Sequence, residues 1–268
     1  MAANSPDFSL ASDLELLRQA AIAAGRIALG FFRAENRTWM KSGNSPVSQA
    51  DIAVDKFLHE TLMAGRPHYG WLSEESVQQT GSDALGTCFV VDPVDGTRGF
   101  LEGDPNWCVS IALVRGGIPF AGVVNCPALG RLFCAAFASG ASLNGVTVTG
   151  AKIHNIPRIT ASKRLNEELS RLYPERFTIL PYIPSLACRL VMVASGELDG
   201  AYARAGAHDW DLAAAQIILE EAGGKLTGLD GNRLAYNGVQ TRNPALIAAG
   251  PGHHDIFLSL AKSGGFLQ

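Results

Sequence analysis

The sequence predicts a chain of the α/β (α+β) class, with a mostly antiparallel first sheet and a second α/β half. Two amphipathic helical stretches precede a series of short apolar strands that ends in an Asn-Gly hairpin turn. After about residue 150, helical and strand patterns alternate, which is typical of an α/β arrangement. We therefore expect two halves, residues 1–150 and 151–268.

The first half is predicted to open with two helices. A Ser-Asp-Leu-Glu capping box at residues 12–15 starts the first helix, which extends to about residue 33. The second helix follows the Ser-Gln-Ala-Asp stretch at 48–51 and extends to about residue 63. Apolar runs then predict strands over residues 69–73, 88–91, 107–114, 118–124 and 131–136, with a hairpin turn at 144–145.

The second half is predicted to contain strands at 158–161, 198–202 and 244–249 and helices at 166–172, 185–194, 212–222 and 253–260. The helix at 212–222 is closed by two glycines, and Asp209 is a candidate for its N-cap.

Composition excludes several classes of protein. The 268 residues are 47% hydrophobic, which is enough for a sizeable core. A net charge of -3 without a basic block argues against nucleic acid as a partner. The sequence has neither an apolar run of ~18 residues nor an apolar signal core, so we expect a cytoplasmic protein without a membrane span. Five cysteines in apolar surroundings, without a Cys-x-x-Cys pair, predict reduced core thiols.

The strand at 88–91 ends in the sequence Asp-Pro-Val-Asp-Gly-Thr over residues 92–97. Pro93 stiffens this turn, and Gly96 permits a tight bend and close approach of a ligand. Amides from Thr97 onward are free to face an anion, as at a helix start. Two hard oxygen ligands thus lie beside a candidate phosphate site, although an Asp-Gly pair is equally typical of a simple turn.

Two rival motifs fail on spacing. An EF-hand loop needs an Asp or Asn two residues after Asp92 and a Gly at the sixth position, where this chain has Val94 and Thr97. A haloacid-dehalogenase-type phosphatase places its second Asp two residues after the first, whereas Asp95 follows Asp92 by three.

Four acidic residues lie at predicted strand ends or helix starts: Glu74, Asp92, Asp95 and Asp211. Convergence of such termini is how α/β sheets build sites. An oxygen-only ligand set favours Mg²⁺ or Mn²⁺ over zinc or copper. Spacing alone leaves open whether the four meet, since adjacent acids such as Glu74 and Glu75 are commonly solvated.

Three ordered signatures resemble those of the inositol monophosphatase superfamily: Trp-Leu-Ser-Glu-Glu-Ser at 71–76, Asp-Pro-Val-Asp-Gly-Thr at 92–97 and Trp-Asp-Leu-Ala-Ala at 210–214. Lys41, residues 48–51, the turn at 141–145 and residues 196–199 also match its pattern. The resemblance extends from about residue 14 to the C-terminus. It implies a layered αβαβα sugar-phosphatase-like fold and a lithium-sensitive, Mg²⁺-dependent phosphomonoesterase, usually a homodimer.

By this resemblance, Glu74, Asp92 and the Val94 carbonyl hold one metal ion. Asp92, Asp95 and Asp211 hold another. Sites of this kind carry two or three Mg²⁺ ions, and Mn²⁺ is an alternative.

The resemblance also implies that Thr97, oriented by Asp51, positions a metal-activated water for direct attack without a phosphoenzyme. Asp51, Thr97 and Glu74 are therefore the expected catalytic residues. The amides of Gly96 and Thr97 would bind the phosphate. Lys41 and Glu75 would support the metal ligands or lie in the adjoining loops without binding metal themselves. Trp210 is interpreted as a packing residue.

The sequence departs from the family pattern at two positions that bear on the substrate. Arg204 replaces a Glu that contacts sugar hydroxyls, and Arg98-Gly99 replaces a Thr-Asn or Lys-Asn pair. These guanidinium groups favour a second anionic group on the substrate, unless they are solvated surface charges. His208 is a further candidate substrate contact, or a structural histidine.

We therefore expect a phosphatase acting on a small sugar or polyol phosphate such as inositol 1-phosphate. The alternatives of the same class are a 3'(2'),5'-bisphosphate nucleotidase and a histidinol-phosphate phosphatase. A different class of function is a regulatory role in RNA processing through a protein partner. The full set of metal-ligand types favours retained chemistry.

Overall fold

The computed structural model describes residues 9–34, 37–40, 46–81, 83–150 and 154–267. Lys41 lies outside these ranges. The helices are α1 Leu10–Phe31, α2 Gln49–Gly65, α3 Thr97–Leu101, α4 Lys163–Leu172, α5 Leu186–Ala194, α6 Asp209–Glu221 and α7 His254–Gly264. The strands are β1 Thr38–Met40, β2 Pro46–Ser48, β3 Gly70–Ser73, β4 Cys88–Asp95, β5 Cys108–Arg115, β6 Ile118–Cys126, β7 Arg131–Ala136, β8 Ala141–Leu143, β9 Val146–Val148, β10 Arg158–Thr160, β11 Thr178–Ile179, β12 Gly200–Ala203, β13 Lys225–Gly228 and β14 Leu246–Ala249.

The larger sheet contains seven strands in sequence order, from β3 to β9. Only β3 and β4 pair in parallel; the remaining neighbours are antiparallel. The mostly antiparallel first sheet is therefore confirmed. Asn144 and Gly145 both have positive φ, of 52° and 80°, in the predicted hairpin turn.

The smaller sheet has the strand order β11-β10-β12-β14-β13. β10 pairs in parallel with both of its neighbours, whereas β14 is antiparallel to β12 and β13. β1 and β2 form a separate antiparallel pair.

Side-chain alternation along the strands divides the core into layers. On β5, Val109, Ile111 and Leu113 pack toward α1 and α2, while Ala112 and Val114 pack toward α5 and α6. Beyond α5 and α6 lies the smaller sheet, whose opposite face packs on α4 and α7. The resulting order is helix, sheet, helix, sheet, helix, which confirms the predicted αβαβα fold.

Three predicted helix starts are wrong, because α4 begins at Lys163, three residues before the predicted start, and α1 and α6 also begin early. α1 begins at Leu10 with Ser9 as its N-cap, so the cap lies before Ser12. Asp13, which belongs to the predicted capping box, is buried, and its carboxylate forms a 2.7 Å ion pair with Arg66.

α6 likewise begins earlier than predicted, at Asp209 with His208 as N-cap. Asp209 is therefore not the N-cap, and its carboxylate instead accepts hydrogen bonds from Asn237 N at 2.7 Å and Asn243 Nδ2 at 2.9 Å.

All five cysteines are free and buried, as predicted for core thiols. The sulfur atoms of Cys108, Cys126 and Cys188 lie within 4.8 Å of one another, between the larger sheet and α5. Within the described ranges, no helix combines the length and apolar character needed to cross a membrane.

Candidate functional site

A bulge at the end of β4 places two carboxylates on one side of the sheet. Asp92 pairs with Ser110 of β5 and Asp95 pairs with Cys108, so three steps on β4 match two on β5. Residues three apart on a regular strand point to opposite faces. The extra residue restores a common direction, so both carboxylates enter the same site.

Gly96 turns the chain sharply away from the sheet. Its φ is +93°, and α3 begins directly after it. A Cβ atom at this position would approach the backbone nitrogen of Ser185 to 3.1 Å. Both the left-handed backbone conformation and the close neighbour therefore require glycine here.

Asp211 reaches the same point from α6. It occupies the third position of the helix, and its Oδ2 accepts a 2.7 Å hydrogen bond from the amide of His208. Asp92, Asp95 and Asp211 each place a carboxylate oxygen within 4.8 Å of the other two. Three of the four predicted acidic ligands therefore meet in space.

Burial raises the pKa of each of these three carboxyl groups, and for Asp92 and Asp211 the charges of neighbouring carboxylates raise it further. For Asp92 the cause is burial, followed by the charges of Glu74, Asp95 and Asp211. Burial, followed by the charge of Asp95, also raises the pKa of Asp211. The pKa of Asp95 rises to about 6, mainly through burial, which hydrogen bonds from Ser185 and Ala187 partly offset.

The N-terminus of helix α5 fixes the position of the Asp95 carboxylate. Asp95 Oδ2 accepts 2.6 Å hydrogen bonds from Ser185 Oγ and from the backbone nitrogen of Ala187, at the N-terminus of α5. Sequence reasoning did not select either residue. The serine at the start of the predicted 185–194 helix was the available signal, because a helix start offers free amides to an anion.

Glu74 and Val94 lie beside the three aspartates. Glu74 follows β3, is half-buried and lines the same cavity. The amide of Val94 donates to Asp92 Oδ1 at 3.0 Å. Its carbonyl oxygen lies 3.0 Å from the Thr97 hydroxyl and keeps a lone pair for another partner. Glu75, by contrast, donates its amide to Ser73 Oγ at 3.4 Å.

Asp51 connects α2 to the site. Its Oδ2 accepts hydrogen bonds from Ser48 N at 2.7 Å and Ser48 Oγ at 2.5 Å, in the capping box of α2. Its Oδ1 lies 3.1 Å from Thr97 Oγ1. Burial raises the pKa of Asp51, while the Ser48 and Thr97 contacts oppose this shift.

A cavity of about 540 Å³ lies over this site. It is lined by Glu74, Asp92, Val94, Asp95, Thr97 and Asp211, together with Gly96, Arg98, Tyr182 and Arg242. Trp210, predicted to be a packing residue, packs on the core and also lines this cavity. The ring of His208 stacks on Trp210 at 4.5 Å, and its Nδ1 lies 3.0 Å from Thr241 Oγ1.

The two arginines selected from the sequence differ in environment. Arg204 donates to Glu168 Oε2 at 2.5 Å and to the Phe266 carbonyl at 3.2 Å. Arg98 is exposed at the edge of the cavity. A further guanidinium group, that of Arg189, is buried in a wall that also includes Asp95 and Asp211, and it was not predicted.

The donor set suits hard divalent cations. Three clustered carboxylates, a nearby glutamate and a backbone carbonyl are oxygen ligands of the kind that Mg²⁺ prefers. Burial and mutual repulsion raise the pKa of Asp92 and Asp211, and a bound cation would relieve that repulsion.

Comparison with known proteins identifies the family. The chain matches the sequence model of the inositol monophosphatase family over residues 9–262. It is 33% identical over 237 residues to a histidinol-phosphatase of Mycobacterium tuberculosis, covering 82% of this chain and 86% of the relative. It is also 33% identical over 234 residues to an inositol-1-monophosphatase of Mesorhizobium japonicum, with 82% and 86% covered.

A solved structure agrees. The extragenic suppressor protein SuhB of Bartonella henselae superimposes with a TM-score of 0.82 at 30% identity, over 95% of this chain and 99% of that one. The chain therefore belongs to the inositol monophosphatase family.

Proposed function

We propose that this chain hydrolyses the phosphate monoester of a small sugar or polyol, such as inositol 1-phosphate, with Mg²⁺ as its cofactor. The family assignment supports phosphoric monoester hydrolysis as the reaction. The observation that carries the proposal is the convergence of Asp92, Asp95 and Asp211 on one point of a 540 Å³ cavity. Such a cluster attracts divalent cations, because bound charge relieves the repulsion between the carboxylates.

We assign Glu74, Asp92 and the Val94 carbonyl to one metal ion, and Asp92, Asp95 and Asp211 to a second. When bound, such ions polarise the phosphoryl group and neutralise the charge that develops on its oxygens. Mn²⁺ has the same preference for oxygen ligands and is expected to substitute. A third ion is compatible with the proposal.

Thr97 and Asp51 are proposed to orient the attacking water. The Thr97 hydroxyl lies 3.1 Å from Asp51 Oδ1 and 3.0 Å from the Val94 carbonyl, both acceptors. Its one hydrogen is donated to one of them, which leaves an oxygen lone pair to accept a hydrogen bond from water. We assign Glu74, on the wall of the same cavity, as the acceptor for that water's proton.

The amides of Gly96 and Thr97 are proposed to bind the phosphate. Both residues line the cavity directly after the second aspartate of β4. Backbone N–H groups fixed in this way stabilise the charge on phosphate oxygens without having to reorganise.

The alternatives of the same class are a 3'(2'),5'-bisphosphate nucleotidase and a histidinol-phosphate phosphatase. Assays with inositol 1-phosphate, 3'-phosphoadenosine 5'-phosphate and histidinol phosphate, each with Mg²⁺, compare the three directly. Hydrolysis of none of them would remove all three named substrates. Lithium is expected to inhibit turnover, and sedimentation tests the proposed homodimer.

Partner binding in RNA processing is a different class of function. A strain carrying Asp95→Asn tests it, with Asp255→Asn as a matched control, because the side chain of Asp255 is 95% exposed. Loss of the cellular function in Asp95→Asn alone supports catalysis. Retention of that function in Asp95→Asn supports the partner role instead.

A further inference from the structure

A second cavity adjoins the proposed metal site. This side cavity has a volume of about 330 Å³ and is lined by Ser162, Leu186, Arg189, Arg204 and Ala207. It shares Asp95, Pro184 and Asp211 with the larger cavity. Because the two cavities share these residues, the side cavity is within reach of a substrate whose ester phosphate lies over the carboxylates.

Arg189 is an unusual residue in this wall. It lies in the second turn of α5, where its neighbours along the helix are apolar, and it is only 7% exposed. A buried guanidinium group is costly unless its charge and its donors are compensated. Its one hydrogen bond among the described residues is a weak 3.4 Å contact from Nε to the Ser185 carbonyl.

No salt bridge within the described part of the chain involves Arg189. Its guanidinium carbon lies 5.8 Å from the centre of the Tyr182 ring, and Lys163 Nζ lies 5.6 Å from the same ring. Arg204 differs, because Glu168 already pairs with it. Arg189 is thus the cation of this cavity whose planar array of donors remains available.

The charge balance of the site changes when cations bind. Burial lowers the pKa of Arg189, and the charges of Tyr182, Asp95 and Asp211 oppose that shift. Without metal, the two aspartates partly compensate Arg189. Divalent cations held by these carboxylates would offset their negative charge, so that Arg189 would remain as a buried positive charge on the wall of the side cavity.

We propose that Arg189 binds a second phosphate group of the substrate, so that the preferred substrate is a small molecule carrying two phosphates. A guanidinium group pairs with phosphate through two parallel hydrogen bonds, which fixes orientation as well as charge. The same cation repels an ammonium group, so histidinol phosphate is disfavoured. This inference rests on the proposed phosphatase function: it keeps the reaction but favours esters with a second phosphate over inositol 1-phosphate itself.

Matched substrate pairs test the role of Arg189. Inositol 1,4-bisphosphate is compared with inositol 1-phosphate, and 3'-phosphoadenosine 5'-phosphate with adenosine 3'-phosphate, in wild type, Arg189→Gln and Arg189→Lys. We expect Arg189→Gln to lower kcat/KM for the bisphosphates by roughly 10- to 100-fold, mostly through KM, since a charged hydrogen bond is lost. The monophosphates change by less than about threefold, and Arg189→Lys recovers part of the loss.

Arg26→Gln, at an exposed position of α1, is the matched control and leaves both pairs unchanged. Equal losses for mono- and bisphosphates in Arg189→Gln, or a wild-type preference for histidinol phosphate, overturn the inference while leaving the phosphatase proposal intact. Arg189→Lys provides the same comparison if Arg189→Gln does not fold.

Failure of the proposed function has a different signature. If the wild-type protein hydrolyses no ester, calorimetric titration with 3'-phosphoadenosine 5'-phosphate and adenosine 3'-phosphate still measures binding. Tighter binding of the bisphosphate that is lost in Arg189→Gln then supports the anion site. Equal affinities in both proteins overturn it.

Discussion

Thr97 Oγ1 lies 3.1 Å from Oδ1 of Asp51, so a side chain from the first turn of α2 fixes a hydroxyl at the start of α3. The other oxygen of Asp51 is held by Ser48 within the capping box of α2. One carboxylate therefore both stabilises a helix start and orients a group that faces the cavity.

Thr97→Val removes the hydroxyl and keeps the shape of the side chain. We expect kcat to fall on the order of 10²-fold with little change in KM, because a water-positioning group is lost. Thr97→Ser keeps the hydroxyl and retains most of the activity. Steady-state kinetics and a thermal melt of each variant provide the measurement, and similar rates for Thr97→Val and wild type would contradict the role.

Asp95→Asn and Asp211→Asn are expected to separate activity from stability. Each removes a charged ligand, so turnover at low Mg²⁺ falls by orders of magnitude. Each also removes one of three clustered carboxylates that repel one another, so the metal-free variants melt no lower than wild type. Melts with and without chelator measure this, with Asp255→Asn as the control; near-normal turnover would contradict the metal assignment.

The raised carboxyl pKa values predict a pH-dependent affinity for Mg²⁺. In the metal-free protein the pKa of Asp95 is about 6, raised from 3.8 mainly by burial. Cations bind the deprotonated carboxylate, so the apparent affinity should increase as pH rises from 5 to 7.5. Calorimetry in two buffers of different ionisation enthalpy would also detect the released protons; an affinity independent of pH would contradict this prediction.

The same shift predicts that the metal-free protein loses stability as pH rises. Between pH 3.8 and about 6, the folded state holds the Asp95 proton and the unfolded state does not. The stabilisation that the Asp95 proton gives the folded state is therefore fully present below about pH 4 and is lost as pH rises through 6. Asp92 and Asp211 shift in the same direction. Chemical denaturation at several pH values, with and without Mg²⁺, tests this, since bound Mg²⁺ removes the trend.

The sequence predicts long and strongly patterned elements well, because periodicity reports which face is buried. It misses β1, β2 and β11, which have three residues or fewer, β13, which has four, and α3, which has five. Elements this short are not long enough to show a repeating pattern of apolar residues. The early start of α1 is missed because Ser12 and Asp13 imitate a cap, whereas the burial of Asp13 depends on Arg66, 53 residues away.

At the site, the sequence indicates which acids are candidates but not that they meet. Asp92 and Asp95 share a side only because of a bulge in pairing with β5, and Asp211 joins them through packing of α6. Arg189 was recognisable in principle, since a lone charge in the apolar stretch at 186–194 indicates a buried ion. Which groups face it depends on tertiary structure.

Gly96→Ala is expected to impair both folding and catalysis. Its φ of +93° strains any side chain, and the new Cβ would lie 3.1 Å from the Ser185 nitrogen. Strain of this kind costs of order 1–3 kcal/mol. Relief requires moving Ser185, which holds Asp95, so turnover should fall further than the loss of stability explains.

Gly130→Ala is the matched control, because its φ is +63° and no atom lies within 4 Å of the added Cβ. It carries the backbone strain without the collision, so we expect a smaller loss of stability and normal turnover. Chemical denaturation and kcat measured with a Mg²⁺ titration distinguish the two variants. Equal kcat in Gly96→Ala and Gly130→Ala would show that the contact with Ser185 does not position the metal ligand.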